Sequence, residues 1–269
     1  EPVWYETGQF DSVYSDTSWR FRPDDIILPA DWNGDGRDDL YVINLTDFRD
    51  PSLIMLRSQG DGFVPATRYD RSLPGWTMLP GDEFYTGDIN GDGADDLMVF
   101  NGTDWNTPFF GMLTSSLDAL EFFARYDHFL PGWEMGPREK FVVGNFDGDD
   151  QDDIVAFNRD DWNKVHLQVH TTVRDGLVLA DRHYGRIDPG TSFWQMRRED
   201  DLYALDYTGN GRDELVLFNG LNWGPTYLGM VQTGPTGALF INRRYDNQDN
   251  PLPGWEMRNR DRHYLADVD

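Results

Sequence analysis

The sequence predicts an all-β chain, a β-propeller of four-stranded blades, on three observations. Trp19, Trp76, Trp133, Trp194 and Trp255 recur at intervals of 57, 57, 61 and 61 residues. An acidic loop opens twelve positions after each of them, at Asp31, Asp88, Asn145, Asp206 and Asp267, so spacing inside the unit is constant while its length varies. Short apolar segments follow one another in fixed order, and 27 Gly and 15 Pro leave no stretch with helical periodicity and caps.

Strand A of each unit lies between the Trp and the loop: Ile27-Leu28, Phe84-Tyr85, Phe141-Val142-Val143, Leu202-Tyr203 and Tyr264-Leu265. Strand B follows the loop as a continuous apolar run, Leu40-Tyr41-Val42-Ile43, Leu97-Met98-Val99-Phe100, Ile154-Val155-Ala156-Phe157 and Leu215-Val216-Leu217-Phe218, which implies burial on both faces. Strand C alternates, with Leu53/Met55, Phe110/Met112, Leu167/Val169 and Leu228/Met230 on one face, and is expected nearer solvent. Strand D includes Phe122-Phe123-Ala124 and Leu239-Phe240-Ile241. It closes on an Arg-Tyr pair (Arg68-Tyr69, Arg125-Tyr126, Arg244-Tyr245) before a Pro-Gly turn such as Leu73-Pro74-Gly75-Trp76.

A blade apolar on both faces is covered when its neighbours stack in a ring, whereas separate immunoglobulin-type sandwiches would need about 100 residues each. Residues 1–269 therefore read as a single propeller domain with repeats at about 19–75, 76–132, 133–193 and 194–254. A partial blade combines 255–269 with 1–18. This favours five blades, the last incomplete; six or seven follow if the chain is a fragment of a larger ring. Bulky aromatics at a strict period are expected to wedge between blades, so the five repeated Trp are assigned to the core.

Composition narrows the function. Against 23 Lys and Arg stand 48 Asp and Glu, a formal net charge of −25 that repels nucleic acid and anionic membrane surfaces. Cations are the natural partners. The 14% aromatic content argues against disorder, and no apolar run is long enough to insert in a membrane. With no Cys there is neither a disulfide framework nor thiolate-bound zinc. Residues 1–10 lack the basic start and apolar stretch of a signal peptide, so secretion is not read from that segment.

The acidic loops are the strongest chemical signal. Asp31, Asn33, Asp35 and Asp39 place oxygen side chains at positions 1, 3, 5 and 9 of a Gly-rich turn. Asp88, Asn90, Asp92 and Asp96 repeat the pattern, as do Asn145, Asp147, Asp149 and Asp153. Backbone carbonyls at position 7 (Arg37, Ala94, Gln151) would complete an oxygen shell suited to Ca²⁺. The fourth loop, with Asp206, Thr208, Asn210, Arg212 at position 7 and Glu214, has fewer carboxylates and is expected to be the weakest of three or more sites. The fifth begins at Asp267 and reaches Asp269. An EF-hand is excluded, because its position-12 Glu is replaced by Val42, Val99, Ala156 and Leu217. The alternative is a set of ordinary Asx turns.

Asp31-x-Asn33-Gly34-Asp35-Gly36-x-Asp38-Asp39-Leu40 and Asp88-x-Asn90-Gly91-Asp92-Gly93-x-Asp95-Asp96-Leu97 resemble the calcium loops of the FG-GAP/VCBS repeats, which include the integrin α-subunit propeller. The resemblance implies a calcium-binding loop between the first two strands of each blade, in an extracellular, periplasmic or cell-surface protein. The Phe-Gly and Gly-Ala-Pro marks of integrins are absent, so integrin partners are not implied.

After strand B each unit carries an Asn and then an aromatic: Asn44 and Phe48, Asn101 and Trp105, Asn158 and Trp162, Asn219 and Trp223, with Asp47, Asp104, Asp161 or Asn222 just before the aromatic. An aromatic face beside amide and carboxylate oxygens suits a sugar, so a non-catalytic glycan-binding module, or lectin, is the first functional reading. A structural role for the same Asn and Trp is the competing one. Adhesion to an extracellular protein is an alternative, as is a polysaccharide lyase or dehydratase. Catalysis is disfavoured: His128, His166, His170, His183 and His263 share no spacing, and no HExxH or GxSxG motif is present. Asn44-Leu45-Thr46 and Asn101-Gly102-Thr103 also match glycosylation sequons.

Overall fold

The structure, a computed structural model, describes residues 13–14, 19–46, 51–103, 107–158, 166–187, 194–219 and 227–246. The chain divides into two compact units, Glu1–Asp127 and His128–Asp269. Among the described residues there are strands and turns but no helix, hence none long and apolar enough to cross a membrane.

In the first unit a small hairpin, Val13–Tyr14 (β1) with Trp19–Arg20 (β2), precedes a four-stranded antiparallel sheet of Ile26–Ala30 (β3), Asp39–Asn44 (β4), Ser52–Ser58 (β5) and Phe63–Asp70 (β6). Ser72–Leu73 (β7) and Trp76–Thr77 (β8) form the next hairpin. The second sheet is Asp82–Gly87 (β9), Asp96–Asn101 (β10), Phe109–Ser116 (β11) and Ala119–Asp127 (β12). The second unit repeats the plan. Phe129–Leu130 (β13) pairs with Trp133–Glu134 (β14), and Lys140–Gly144 (β15), Asp153–Asn158 (β16), His166–Val173 (β17) and Gly176–Tyr184 (β18) form the third sheet. Arg186–Ile187 (β19) pairs with Trp194–Gln195 (β20), ahead of Asp201–Leu205 (β21), Glu214–Asn219 (β22), Tyr227–Thr233 (β23) and Leu239–Asp246 (β24). Each sheet is a meander in strand order A-B-C-D, as the repeat predicts. The partial fifth blade lies outside the described residues except for Val13–Tyr14.

Strand B is buried on both faces because its alternate residues join different clusters. Tyr41 and Ile43 of β4 pack in one core with Leu97, Val99 and Leu113 of the second sheet, whereas Val42 packs with Trp19, Ile54 and Leu56. Strand C departs from expectation. Leu53, Ile54, Met55 and Leu56 are all buried, and so are Phe110, Gly111, Met112 and Leu113. The alternation concealed this, because the second face of strand C is covered by the repeated Trp. A Cβ added to Gly111 would come within 2.7 Å of Trp76 Cε3. Strand D is the solvent strand instead, with β6 half-buried along most of its length. Its pairing with strand C is interrupted at one repeated position, between Ile54/Leu56, Met112/Leu113, Val169/His170 and Met230/Val231. Bulges there increase the local twist of each outer edge.

Candidate functional site

Each acidic loop is the A–B hairpin of its sheet, and its first residue wraps the turn. Asp31 Oδ1 accepts from Asp35 N (3.0 Å) and Oδ2 from Gly36 N (2.7 Å); Asp88 accepts from Gly91, Asp92 and Gly93, and Asp206 from Gly209, Asn210 and Gly211. Asn145 caps Gly148 N (2.7 Å). The turn needs left-handed backbone at positions 4 and 6, which Gly supplies at Gly34 and Gly36 (φ 69° and 80°) and at Gly91 and Gly93; the third loop instead holds Asp150 at φ 69°.

Position 9 begins strand B and is fully buried: Asp39, Asp96, Asp153 and Glu214 are each 0% exposed. Strand C anchors three of these carboxylates through Ser58 N (2.6 Å), Ser115 N (2.6 Å) and Thr172 N (2.9 Å). The anchors do not offset burial. Desolvation pushes Asp96 up to about 8, with further repulsion from Asp92 and Asp88, and pushes Asp153 to about 8, with repulsion from Asp147 and Asp149. Asp39, Asp147 and Glu214 are also raised, chiefly by desolvation.

Asp147 Oδ1 and Glu214 Oε2 are buried without a hydrogen-bond donor, so these loops hold carboxylate oxygens that their own N–H groups leave unsatisfied. A hard cation would satisfy them, and the donor set fits Ca²⁺ in kind. Among the described residues, however, no three Asp, Glu or His side chains converge on one metal position. In the first loop Asn33 Nδ2 instead donates to Asp39 Oδ2 (2.5 Å), and Asp35 pairs with Arg37 at 2.5 Å. The fourth loop closes on neutral donors, with Thr208 Oγ1 and Asn210 Nδ2 both on Glu214 Oε1 (2.9 and 3.1 Å). Asp267 and Asp269 lie outside the described residues.

Two features had no role in the sequence reading. The first is position 8, which joins neighbouring blades. Asp95 Oδ2 accepts from Asp31 N (2.8 Å) while Asp95 N donates to Asp31 O (2.9 Å), and Asp213 makes the same reciprocal pair with Asn145 (2.9 and 2.7 Å).

The second is a carboxylate six residues after each Trp, at Asp25, Asp82, Glu139 and Asp200, which holds the Asn that ends strand B. Asn44, Asn101 and Asn158 donate to Asp25 Oδ1 (2.6 Å), Asp82 Oδ1 (2.5 Å) and Glu139 Oε1 (2.7 Å), and Asn219 donates to Asp200 Oδ1. The same carboxylates cap a turn through Arg22 N, Leu79 N, Gly136 N and Arg197 N. Asp82 also accepts from Trp76 Nε1 (3.0 Å), linking the repeated Trp to the strand B terminus. The four amides proposed for sugar contacts are thus engaged within their sheets, and three of them (Asn44, Asn101 and Asn219) are buried. In the two sequons, Thr46 and Thr103 donate to the Asn oxygen, so both tripeptides are turns built on buried Asn. The period of 57, 57 and 61 was the available signal.

Replacing Asp82 with Ala leaves the amide of Asn101 and the indole N–H of Trp76 without an acceptor. It is expected to cost about 2–3 kcal/mol, and a double-mutant cycle with Asn101→Ala should give a coupling of about 1–2 kcal/mol in urea unfolding. Strict additivity would refute the pair.

The third blade carries a cleft of about 410 Å³ lined by Trp133, Glu134, Asn158, His166, Gln168, Arg182 and Tyr184. His166 stands edge-on to Trp133 and to Tyr184, with ring centroids 5.6 and 4.6 Å apart. Trp105, Trp162, Trp223 and Phe48, with Asp47, Asp104, Asp161 and Asn222, lie outside the described residues.

These features define an all-β repeat chain with an acidic loop at the head of every described blade. Residues 31–99 match the family model described as FG-GAP-like repeat, so this part of the chain is similar to an FG-GAP-like repeat. No curated protein matches the sequence. Among solved structures it is similar to the exotype rhamnogalacturonan lyase YesX (12% identity, 80% of this chain and 46% of that one, TM-score 0.46) and to a Bacillus licheniformis rhamnogalacturonan lyase (12%, 80% and 48%, 0.45). It is also similar to the Photorhabdus luminescens Tc holotoxin pore (18%, 82% and 10%, 0.48). The chain spans about half the length of the lyases it matches and about a tenth of the toxin chain.

Proposed function

We propose that this chain is a calcium-stabilised β-propeller of five blades, acting outside the cytosol as a non-catalytic module that binds glycans. The observation that carries the calcium reading is the set of position-9 carboxylates, which are fully buried and, at Asp96 and Asp153, raised to about 8 by desolvation and by repulsion from neighbouring loop carboxylates. Asp31, Asn33, Asp35 and Asp39 would hold the ion in the first loop, with the Arg37 carbonyl. The second, third and fourth loops would use the same positions, with the Ala94, Gln151 and Arg212 carbonyls. Binding requires Asn33 to turn its amide oxygen inward. Loops of this kind suit the high free calcium outside cells.

Binding is favoured over catalysis because the carboxylates of the loops and of the strand B termini already serve as turn caps and interblade acceptors. His170 supports this: it is buried, lowered to about 4 by desolvation and hydrogen-bonded to Pro131 O, which makes it a packing residue. The ligand surface is assigned to the loops that follow strand B.

A glycan array probed in calcium and in chelator tests the reading. Trp105→Ala, Trp162→Ala and Trp223→Ala are each expected to lower glycan binding while leaving the melting temperature nearly unchanged. Repeated sites on one rim should favour a multivalent surface over a free monosaccharide by about 100-fold or more. Large destabilisation with unchanged binding per folded molecule would overturn the assignment, and an array without signal would overturn the ligand class.

A further inference from the structure

The cleft in blade 3 departs from the equivalent region of blades 1 and 2 in a way that frees a positive charge. In blade 1 Arg68 Nε pairs with Asp70 (2.8 Å), and in blade 2 Arg125 Nε pairs with Asp127 (2.7 Å) while its guanidinium covers Trp76 and Phe109. Arg182 occupies the same repeat position in blade 3, but the residue two further on is Tyr184. Its Nη1 donates to Tyr184 OH (2.7 Å) and its Nη2 to Gly132 O. Gln168 stands where blade 1 has Ile54 and blade 2 has Gly111. With its amide oxygen turned toward the guanidinium, the orientation that matches acceptor to donor, Gln168 accepts from Nε (2.5 Å) and Nη2 (2.9 Å).

All three partners are neutral, and among the described residues no carboxylate pairs with Arg182. The nearby Glu134 faces His128 at 3.0 Å. The guanidinium is therefore fixed in direction and retains one Nη1–H donor, in a protein of net charge −25. Beside it Tyr184 is 57% exposed, with the Arg182 guanidinium 5.7 Å from its ring centroid, while Trp133, only 6% exposed, lines the cleft with His166. The cleft volume falls in the range of about 300–1,000 Å³ usual for small-molecule sites.

We propose that this cleft is a subsite for a carboxylate-bearing sugar. Arg182 receives the carboxylate, Tyr184 takes the apolar face of the ring, and Gln168 and Gly132 O hold the guanidinium in place. A charge-assisted bond from a pre-oriented guanidinium is the interaction an acidic ligand would exploit here, and an aromatic platform selects a ring over a simple anion. The assignment rests on the glycan-binding reading and names the ligand class for one of its blades.

The test is a titration of the full chain in calcium with D-glucuronate, D-glucose and acetate, followed by saturation-transfer NMR. Glucuronate is expected to bind at least about tenfold more tightly than either glucose or acetate, with affinity falling as salt rises. Tyr184→Asp restores the Arg–Asp pair of blades 1 and 2, so it should fold normally and lose glucuronate binding by at least about tenfold. Arg182→Gln should do the same, and Arg125→Gln should not. Wild-type glucuronate affinity in folded Tyr184→Asp or Arg182→Gln overturns the subsite, as does equal binding of glucose. If an array still shows glycans bound through sites that these changes leave intact, the binding-module reading stands and only the subsite falls. If neither the array nor glucuronate gives binding, both fall.

Discussion

Metal-free protein is expected to melt at progressively lower temperature as pH rises from about 4 to about 8, and calcium to abolish most of that decline. Asp96 and Asp153 titrate near 3.8 in the unfolded chain and near 8 in the fold. Between those values the folded state holds more protons, so stability falls with rising pH; it is greatest below about 4 and is lost as pH passes through about 8. Calcium reverses the preference, because a bound cation favours the ionised carboxylate that burial penalises. The calcium-induced rise in melting temperature should therefore be larger at about pH 8 than at about pH 5. Each saturated site adds about 2.7 kcal/mol at a hundredfold excess over its Kd, so several loops acting together make this one of the two largest effects expected of the molecule. Calorimetry in calcium and in chelator at both pH values measures it. Asp92→Ala should remove much of the second loop's share, whereas Asp206→Ala should matter less, since neutral donors already serve one of the two Glu214 oxygens, Oε1. A melting temperature indifferent to complete metal removal would refute a stabilising ion.

What was legible in the sequence was whatever combined a rare residue type with a constant offset. Trp makes up only 10 of 269 residues, so five at one period stand out, and the strand B runs declare two-sided burial by lacking alternation. The Asp82–Asn101 class of contact was hidden for the opposite reason. Carboxylates are abundant here, and the partners sit 19 residues apart at the two ends of a hairpin, where only antiparallel register brings Asp82 opposite Asn101. Position 8 was misleading in a similar way. Asp38, Asp95, Asp152 and Asp213 look like further loop acid, yet Asp95 and Asp213 serve the neighbouring blade rather than their own loop. Strand C was misjudged because alternation reports only that one face is apolar. That the other face is closed by a Trp from the preceding hairpin is a tertiary fact, visible in hindsight only at Gly111.

Trp76→Ala should be the most damaging single substitution outside the acidic loops, at about 4–8 kcal/mol. Trp76 is 5% exposed and packs with Tyr41, Ile43, Leu97 and Val99 of two adjoining blades. Its ring also meets the edge of Phe109 at 6.4 Å and the Arg125 guanidinium at 5.4 Å. Removing so large a buried ring costs about 3–5 kcal/mol through the cavity it leaves. The loss of the Nε1 donor to buried Asp82 adds about 1–3 kcal/mol. In a chain of this size the melting temperature should fall by on the order of 10 °C. Trp76→Phe keeps most of the bulk and loses the hydrogen bond, so its cost should be near the smaller figure alone. Gly111 supplies the decisive comparison. An added methyl there would lie 2.7 Å from the Trp76 ring, so Gly111→Ala should destabilise the native protein by about 1–3 kcal/mol. In the Trp76→Ala background the same methyl enters the vacated space, and the second change should be neutral or stabilising. Independent effects in the double mutant would show that Trp76 does not close the face of strand C. Unchanged stability in Trp76→Ala would instead refute the assignment of the repeated Trp to the core.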